Sequence, residues 1–256
     1  MNFVGIIPAR YASSRFPGKP LCDILGQPMI KRVYDSVMKW PKWDRVYVAT
    51  DCEEIKRACK SWEIPCLMTG DQHVDCLDRA AEAAKILEDR GSGADRYIII
   101  QGDEPLFETK TLDTDLTPEI VNFYTETVDE NDLYDSNAVK VVVSHSQRAL
   151  YFSRYTVPYH DMKTRRNDEL PLTVYKQIGV YSFSYEKLYL YTLLPLGYLE
   201  QIEGIGLLRL LENDIDVRMR HTKYDSISVD TPADRLRIVD IIRENSEQKI
   251  KGLKTP

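Results

Sequence analysis

The chain has 256 residues, of which 43% are hydrophobic and 29% are charged, and its formal net charge at pH 7 is −6. This composition is typical of a globular protein with one sizeable core, and it excludes the disordered and fibrous classes. The negative charge gives no overall attraction for nucleic acid or for an anionic membrane, so neither is an expected partner. A phosphate-binding site would therefore have to be local.

The lack of recognisable targeting signals and the spacing of the cysteines predict a cytoplasmic protein. No apolar run approaches the ~20 residues of a membrane span, and the start of the sequence lacks the features of a secretory signal. The five cysteines include no CxxC pair, which fits a reducing compartment. A zinc site of Cys59, Cys66, Cys76 and His73 is a weaker alternative, because structural zinc ligands are usually more closely paired.

Short apolar runs alternate with helical patterns in the first part of the chain. The runs predict strands at residues 3–7, 46–49, 97–100 and 139–143. A helix is predicted around Met29, Ile30, Val33 and Val37 from their spacing, and a second helix is predicted over about 77–87. This order predicts an α/β fold, in which a mostly parallel sheet carries helices on both faces.

The later part of the chain is less regular. Residues 108–137 are acidic and turn-rich, and residues 155–172 are polar, so both are predicted excursions, lids or dimer contacts. A short strand is predicted at 227–229, followed by a capped helix that starts at Thr231-Pro232-Ala233-Asp234. We expect one domain over 1–256, with an excursion or dimerisation region around 145–200, although the length also allows two domains.

The first candidate site is the loop that follows the first strand. It carries Arg10, Arg15 and Lys19 among small residues, prolines and a glycine. Ligands of open α/β sheets bind beyond the carboxyl ends of the strands, where these cations could surround a polyphosphate. A solvated basic loop is the alternative. The loop matches neither the P-loop nor the dinucleotide-binding fingerprint, which disfavours kinases and dehydrogenases.

Two aspartates follow predicted strands elsewhere in the chain. Asp103 lies in Gln101-Gly102-Asp103-Glu104-Pro105, and Asp230 follows the strand predicted at 227–229. Carboxylates from two strand ends could share one Mg²⁺ and leave room for phosphate oxygens. The alternatives are an ordinary acidic turn for Asp103 and, for Asp230, a residue that merely opens the following helix.

Several motifs together resemble one enzyme family. They are IIPARYASSRFPGKPL, VATD, QGDEP, NAVKVVV, ALYFSRYTVPY, IGVYSF and SVDTPAD, and they occur in order over about residues 2–240. This set resembles the 3-deoxy-manno-octulosonate cytidylyltransferases, or CMP-Kdo synthetases. The resemblance implies a Rossmann-like nucleotidyltransferase fold with a mixed sheet, a homodimer, and transfer of CMP from CTP to a small sugar acid with release of pyrophosphate.

The resemblance also implies roles for individual residues. Arg10, Arg15 and Lys19 would hold the triphosphate, and Asp103 and Asp230 would bind Mg²⁺. Arg10, Lys19, Asp103 and Asp230 are the candidate catalytic residues. The acceptor acid would lie near Gln101, Arg154 and Tyr181. The remaining candidate substrate-binding residues are Ala9, Asp78, Arg79 and Gln177.

Departures from the family pattern concentrate around the acceptor. The family's His-x-Ser-Gly-Thr-Asp-Arg is His73-Val74-Asp75-Cys76-Leu77-Asp78-Arg79 here, and its histidine before Ile-Gly is Gln177. Its late Glu-Gln pair falls on Gly206 and Leu207, or alternatively on Glu200 and Gln201. Because polar groups discriminate strongly between sugar hydroxyls, these changes indicate either Kdo or another acidic acceptor, including a phosphonate. A non-catalytic nucleotide-binding relative is the alternative from another functional class.

Overall fold

The structure is a computed structural model that describes residues 1–12, 15–127, 130–159 and 173–252. Ser13 and Ser14 of the first loop therefore lie outside the described residues. The same holds for 160–172, which form most of the second predicted excursion. No helix in the described part of the chain is both long and apolar enough to cross a membrane.

The described strands form one large mixed sheet and a small hairpin. The strands of the large sheet are β1 (Phe3–Pro8), β4 (Arg45–Thr50), β5 (Cys66–Met68), β6 (Arg96–Ile100), β7 (Ile120–Thr127), β8 (Lys140–Val143), β9 (Ala149–Ser153), β10 (Val174–Phe183) and β11 (Arg218–His221). The hairpin consists of β2 (Asp23–Ile24) and β3 (Gln27–Pro28). The main path has the order β11-β7-β10-β6-β1-β4-β5. Only β10 runs against the other strands of this path, so the predicted mostly parallel sheet is confirmed.

Helices cover both faces of the sheet. They are α1 (Met29–Val37), α2 (Glu53–Ser61), α3 (Cys76–Asp89), α4 (Glu130–Tyr134), α5 (Tyr185–Leu193), α6 (Tyr198–Glu203), α7 (Leu207–Leu211) and α8 (Pro232–Gly252). Alternate residues of β6 show the two layers: Tyr97 and Ile99 share a core with α3, α5 and α7, whereas Ile98 and Ile100 share one with α1 and α2. Such burial on both sides explains the continuous apolar runs of the strands.

The structure corrects two predictions about the later part of the chain. Residues 108–137 are less irregular than predicted, since they contain β7, an eight-residue strand in the middle of the sheet. The strand predicted at 227–229 does not form. Val229 instead donates one backbone hydrogen bond to the carbonyl of Asp103, at 2.9 Å, and packs against Ile24 and Ile238. An isolated hydrogen bond is not a strand ladder.

Strand β10 pairs with different strands along its length. Its first half pairs with β8 through Tyr175 and Lys176, and its last residues pair with β6. Between them the register shifts, and the buried side chain of Asn122 bridges the irregular stretch by donating to the carbonyls of Ile178 and Val180, at 3.0 and 2.8 Å. Strand β6 pairs with β10 as far as Ile100, opposite Val180, and the residues that follow, Gln101 to Glu104, line a cleft.

Candidate active site

A cleft of about 390 Å³ lies at the carboxyl ends of β1 and β6. Of the predicted site residues, it is lined by Ala9, Arg10, Arg15, Lys19, Arg79, Gln101, Asp103, Arg154, Gln177, Tyr181 and Asp230. The two strand ends come close together at Gly102, where a Cβ would lie 2.7 Å from the carbonyl oxygen of Pro8. Glycine is therefore required for this approach, which brings the loop after β1 alongside Asp103.

Lys19 joins the two predicted metal ligands. Its ammonium donates to Asp103 Oδ2 at 2.7 Å and to Asp230 Oδ1 at 3.3 Å, and all three side chains are at least four-fifths buried. Arg15 Nη2 also donates to Asp230 Oδ1, at 3.0 Å. The structure thus brings together four of the predicted site residues from three distant parts of the chain.

The ionisation of Lys19 follows from these contacts. Burial lowers its pKa, but attraction and hydrogen bonding from Asp103 and Asp230 outweigh burial, so that the pKa lies above the ordinary value for lysine. Lys19 is therefore a cation at neutral pH.

The two carboxylates fit a Mg²⁺ ion. They converge on one cation, Lys19, and Asp103 Oδ1 is buried with no hydrogen-bond partner. Such an oxygen is a suitable ligand for a hard divalent cation, whose other ligands can be phosphate oxygens and water. No group of three or more His, Cys, Asp or Glu side chains suited to a metal occurs within the described ranges. A metal ion bound by Asp103 and Asp230 would therefore depend on further ligands from the substrate.

The backbone around Asp230 holds its carboxylate toward the cleft. Asp234 Oδ2 accepts the backbone N–H groups of Asp230 and Thr231, at 3.0 and 2.7 Å, and Thr231 Oγ1 accepts the N–H of Asp234 at 3.3 Å. This reciprocal arrangement caps α8 as the sequence predicts. Thr231 and Asp234 supply the cap, which leaves the side chain of Asp230 available to Arg15 and Lys19.

Arg15 and Arg154, two of the predicted site residues, contact the same turn at the cleft. Arg15 Nη1 donates to Asn137 Oδ1 at 2.7 Å, and Arg154 Nη1 donates to the carbonyl of Ser136 at 2.8 Å. Arg154 Nε also donates to the carbonyl of Glu203, at 2.6 Å. Arg10 is exposed, and Ala9 is buried beside the strand end with its N–H on the carbonyl of Ala49.

The part of the cleft around Gln101, Gln177 and Tyr181 is polar and largely buried. Gln101 Nε2 donates to the hydroxyl of Tyr181 at 3.0 Å, and Gln177 Nε2 is buried without a hydrogen-bond partner. Glu104 Oε1 accepts the N–H of Gly179 at 3.1 Å. Burial, and next the charge of Asp103, raise the pKa of Glu104 to about 8. The unpartnered amide of Gln177 is a hydrogen-bond donor for a bound molecule.

Two other predicted substrate-binding residues have their side chains tied within the protein. Asp78 lies in the first turn of α3 and forms an ion pair with Arg209 at 3.0 Å. Arg79 is only 4% exposed and donates to Thr69 Oγ1 at 2.6 Å and to Asp51 Oδ2 at 3.1 Å. Asp78 borders a neighbouring surface pocket beside His73, whereas Arg79 reaches the cleft from its floor.

The two divergent motifs meet in space. Asp75 caps α3 by accepting the N–H groups of Leu77 and Asp78, and its Oδ2 accepts the hydroxyl of Tyr191 at 2.6 Å. A Cβ on Gly206 would lie 1.9 Å from this same Oδ2. Burial, followed by the charge of Asp78, raises the pKa of Asp75 to about 6. Asp75 and Gly206 therefore form one packed unit beside the cleft.

Sequence reasoning missed a buried ion-pair group in the wall of the cleft. Lys176 Nζ forms ion pairs with Asp132 and Asp225, both at 2.8 Å, and it is 7% exposed. Burial lowers the pKa of Lys176, but the two carboxylates raise it overall. The only sequence signal was a lysine beside Gln177 in an otherwise strand-like run, and its acidic partners are 44 and 49 residues away.

Comparison with known proteins agrees with this geometry. A family model described as Cytidylyltransferase matches residues 4–219. A 3-deoxy-manno-octulosonate cytidylyltransferase of Parabacteroides distasonis is 40% identical over 245 residues, which cover 91% of this chain and 95% of the relative. An 8-amino-3,8-dideoxy-manno-octulosonate cytidylyltransferase of Shewanella pealeana is 37% identical over 243 residues, with 91% and 96% covered.

A solved structure gives the same result for the fold. The structure of CMP:2-keto-3-deoxy-manno-octonic acid synthetase complexed with CTP matches with a TM-score of 0.83 at 33% identity, covering 96% of this chain and 100% of that one. The predicted nucleotidyltransferase fold is thereby confirmed. The chain belongs to the cytidylyltransferase family.

Proposed function

We propose that the chain transfers CMP from CTP to a 3-deoxy-2-ulosonic sugar acid, either Kdo or a related acid such as its 8-amino counterpart, and releases pyrophosphate. The observation that carries the proposal is the meeting of Asp103 and Asp230 on the ammonium of Lys19. This cluster lies in a cleft that is also lined by Arg154 and the unpartnered amide of Gln177. A charged nucleotide half and a polar acceptor half suit the two substrates.

The reaction needs no nucleophile from the protein. The acceptor hydroxyl forms the new bond to the α-phosphorus of CTP, and the bond to pyrophosphate breaks. Positioning and electrostatic stabilisation can supply most of the rate in such a transfer. Arg10, Arg15 and Lys19 are the loop cations that line the cleft, and we propose that they hold the triphosphate and offset the charge on pyrophosphate.

The proposed metal site consists of Asp103 and Asp230. Mg²⁺ held there would supply positive charge to the phosphate oxygens during the displacement. The hydrogen bond from Val229 N–H to the carbonyl of Asp103, and the cap formed by Asp234, keep the two carboxylates on the same side of the cleft. The fold thus orders both ligands before a substrate arrives.

The choice of acceptor acid depends on the polar residues in the second half of the cleft. Arg154 can attract a carboxylate, and the pair Gln101–Tyr181 together with Gln177 can bind hydroxyl groups. Gln177 and Asp75 depart from the family pattern. These departures favour an acid related to Kdo, or a phosphonate, as the second candidate for the acceptor. A non-catalytic relative would not need Lys19 beside two converging carboxylates, which favours an active enzyme.

A turnover assay tests the proposal directly. The protein, Mg²⁺ and each of the four nucleoside triphosphates are mixed with Kdo, its 8-amino counterpart and a phosphonate, and pyrophosphate release is measured. We expect release with CTP and with one sugar acid. Tight CTP binding without turnover for any acid would contradict the enzymatic proposal and support the non-catalytic relative.

Replacement of Asp103 tests the metal assignment. Asp103→Asn removes one negative ligand at a strand end without creating a core cavity, so we expect turnover to fall by more than about a hundredfold while the unfolding temperature changes little. Asp35→Asn, at an exposed carboxylate on α1, is the matched control and should keep full activity. Near-normal turnover in Asp103→Asn would refute the assignment.

We also propose that the enzyme is a cytoplasmic homodimer. Seven of the fifteen large hydrophobic side chains exposed among the described residues belong to 145–200, including Leu150 on β9 and Tyr155 just after it. Within the described chain β9 pairs only with β8 and is therefore an edge strand. A strand edge beside exposed apolar side chains is a common surface for self-association.

A further inference from the structure

Lys19 and Arg15 neutralise both carboxylates that are proposed to bind the metal. The ammonium of Lys19 contacts Asp103 Oδ2 and Asp230 Oδ1, and the guanidinium of Arg15 contacts the same Asp230 oxygen. Both cations come from the loop that follows β1. The chain's own side chains therefore occupy the electrostatic position of a metal ion.

A metal ion and the Lys19 ammonium compete for these oxygens. Two like charges at contact distance repel strongly in a partly buried site, where screening by water and salt is weak. Asp230 Oδ1 already accepts from two donors, Lys19 and Arg15. The ammonium would have to withdraw before a divalent cation could use both aspartates.

The triphosphate offers Lys19 an alternative partner. Phosphate oxygens attract ammonium and guanidinium groups strongly, and Arg15 and Lys19 line the same cleft as Asp103 and Asp230. Lys19 follows Gly18 and is the first residue of a single 3₁₀ turn, Lys19–Leu21, so the turn can hold the backbone in place while the side chain changes its rotamer. A bound nucleotide could thus draw the ammonium from the aspartates.

We propose that Lys19 is a positioning residue that blocks the metal site until the nucleotide arrives, which makes metal and nucleotide binding mutually dependent. The inference rests on the proposed function, because it assumes that Asp103 and Asp230 bind the metal. Linkage requires the dependence to be reciprocal: the nucleotide tightens metal binding by the same factor as the metal tightens nucleotide binding. A free enzyme with a blocked site would also resist adventitious cations.

Direct metal binding tests the inference without any turnover. Mn²⁺ serves as the probe, and its dissociation constant is measured by electron paramagnetic resonance with and without a non-hydrolysable CTP analogue. For the unmodified protein we expect the analogue to tighten Mn²⁺ binding at least tenfold beyond the chelation of Mn²⁺ by the analogue alone. In Lys19→Met, Mn²⁺ alone should bind about tenfold tighter than to the unmodified protein, and the effect of the analogue should shrink.

Matched variants make the result specific. Lys31→Met removes a lysine that pairs with Asp35 on the surface of α1, so it should leave the Mn²⁺ dissociation constant unchanged. Asp103→Asn should weaken Mn²⁺ binding in every condition. Lys19→Gln repeats the test with a polar side chain, and thermal unfolding confirms that each variant is folded.

The outcomes separate the inference from the proposed function. If the unmodified protein binds no Mn²⁺ even with the analogue, the metal assignment itself fails. If it binds Mn²⁺ equally well with and without the analogue, only the inference is overturned, and this result needs no variant. The inference is also overturned if neither Lys19→Met nor Lys19→Gln binds Mn²⁺ alone more tightly than the unmodified protein.

Discussion

Gln177 places an unpaired amide nitrogen in the part of the cleft that is proposed to bind the acceptor. The side chain follows Lys176 on β10, and its Nε2 is buried without a partner. A buried donor left without a hydrogen bond costs about 1–3 kcal/mol, so a substrate oxygen that accepts from it gains affinity. The position at which the chain departs from the family pattern is therefore the one best prepared to select an acceptor.

Replacement of Gln177 should separate acceptor binding from nucleotide binding. In Gln177→Leu the donor is lost at similar side-chain size, and we expect the KM for the acceptor to rise about three- to tenfold while the KM for CTP stays constant. Gln27→Leu, on β3 and outside the cleft lining, is the control. Steady-state kinetics with each substrate varied in turn measures both constants, and an unchanged acceptor KM would show that Gln177 does not touch the acceptor.

Among the individual residues of the cleft, the loop cations and the two aspartates were easier to predict from the sequence than the buried ion pairs of its wall. Arg15, Lys19 and Asp103 were predictable because ligand-binding residues follow strand ends in α/β folds. Asp230 was predicted from a strand at 227–229 that does not form, although its carboxylate does reach the same cleft. The pairing of Lys176 with Asp132 and Asp225 was not predictable, since it depends on how β10 meets the turn after β11. Nor did the sequence indicate that Lys19 would contact the aspartates.

The helices on one face of the sheet are joined by a buried ion-pair network. Arg209 of α7 is 3% exposed and forms ion pairs with Asp78 of α3 at 3.0 Å and Glu200 of α6 at 2.6 Å. Its guanidinium carbon also lies 4.0 Å from the centre of the Tyr191 ring of α5. One side chain thus links four helices that flank the acceptor half of the cleft.

Loss of Arg209 should destabilise the fold strongly. Arg209→Met leaves Asp78 and Glu200 without their buried cation, which costs about 3–5 kcal/mol in comparable cases. Arg148→Met is the matched control, because Arg148 pairs with Asp216 on the surface, where such a pair contributes about 0–1 kcal/mol. The free energy of unfolding in urea measures both changes, and similar losses in the two variants would contradict the assigned importance of the network.

Elements with a clear periodicity were predicted well, and those defined by tertiary contacts were not. Strands β1, β4 and β6 and helices α1 and α3 were predicted to within about two residues at each end. Strand β7 was missed because its third residue is Asn122 and because it follows an acidic, turn-rich stretch. The strand assigned to 227–229 was wrong because its apolar residues serve a small core with α8, not the sheet.

For the whole molecule, the exposed apolar side chains in 145–200 agree with the proposed dimer. We expect sedimentation equilibrium to give twice the 29.6 kDa chain mass. Leu150→Lys puts a charge on the exposed edge strand β9 and should shift the protein toward the monomer, whereas Leu236→Lys, on the exposed side of α8, should not. A monomeric unmodified protein would contradict the dimer, and a dimeric Leu150→Lys variant would place the contact elsewhere.

The contact between Asp75 and Gly206 has a consequence for changing the specificity of the enzyme. Any side chain at 206 collides with the Asp75 carboxylate, which itself caps α3 and accepts from Tyr191. With the alignment that puts the family's glutamate at 206, an exchange at Gly206 alone would therefore fail by steric overlap. Serine at 75 could still cap α3, and it would remove the carboxylate that causes this overlap. A directed-evolution library that varies one codon at a time must therefore change Asp75 before Gly206, whereas a library that varies both codons together has no such order.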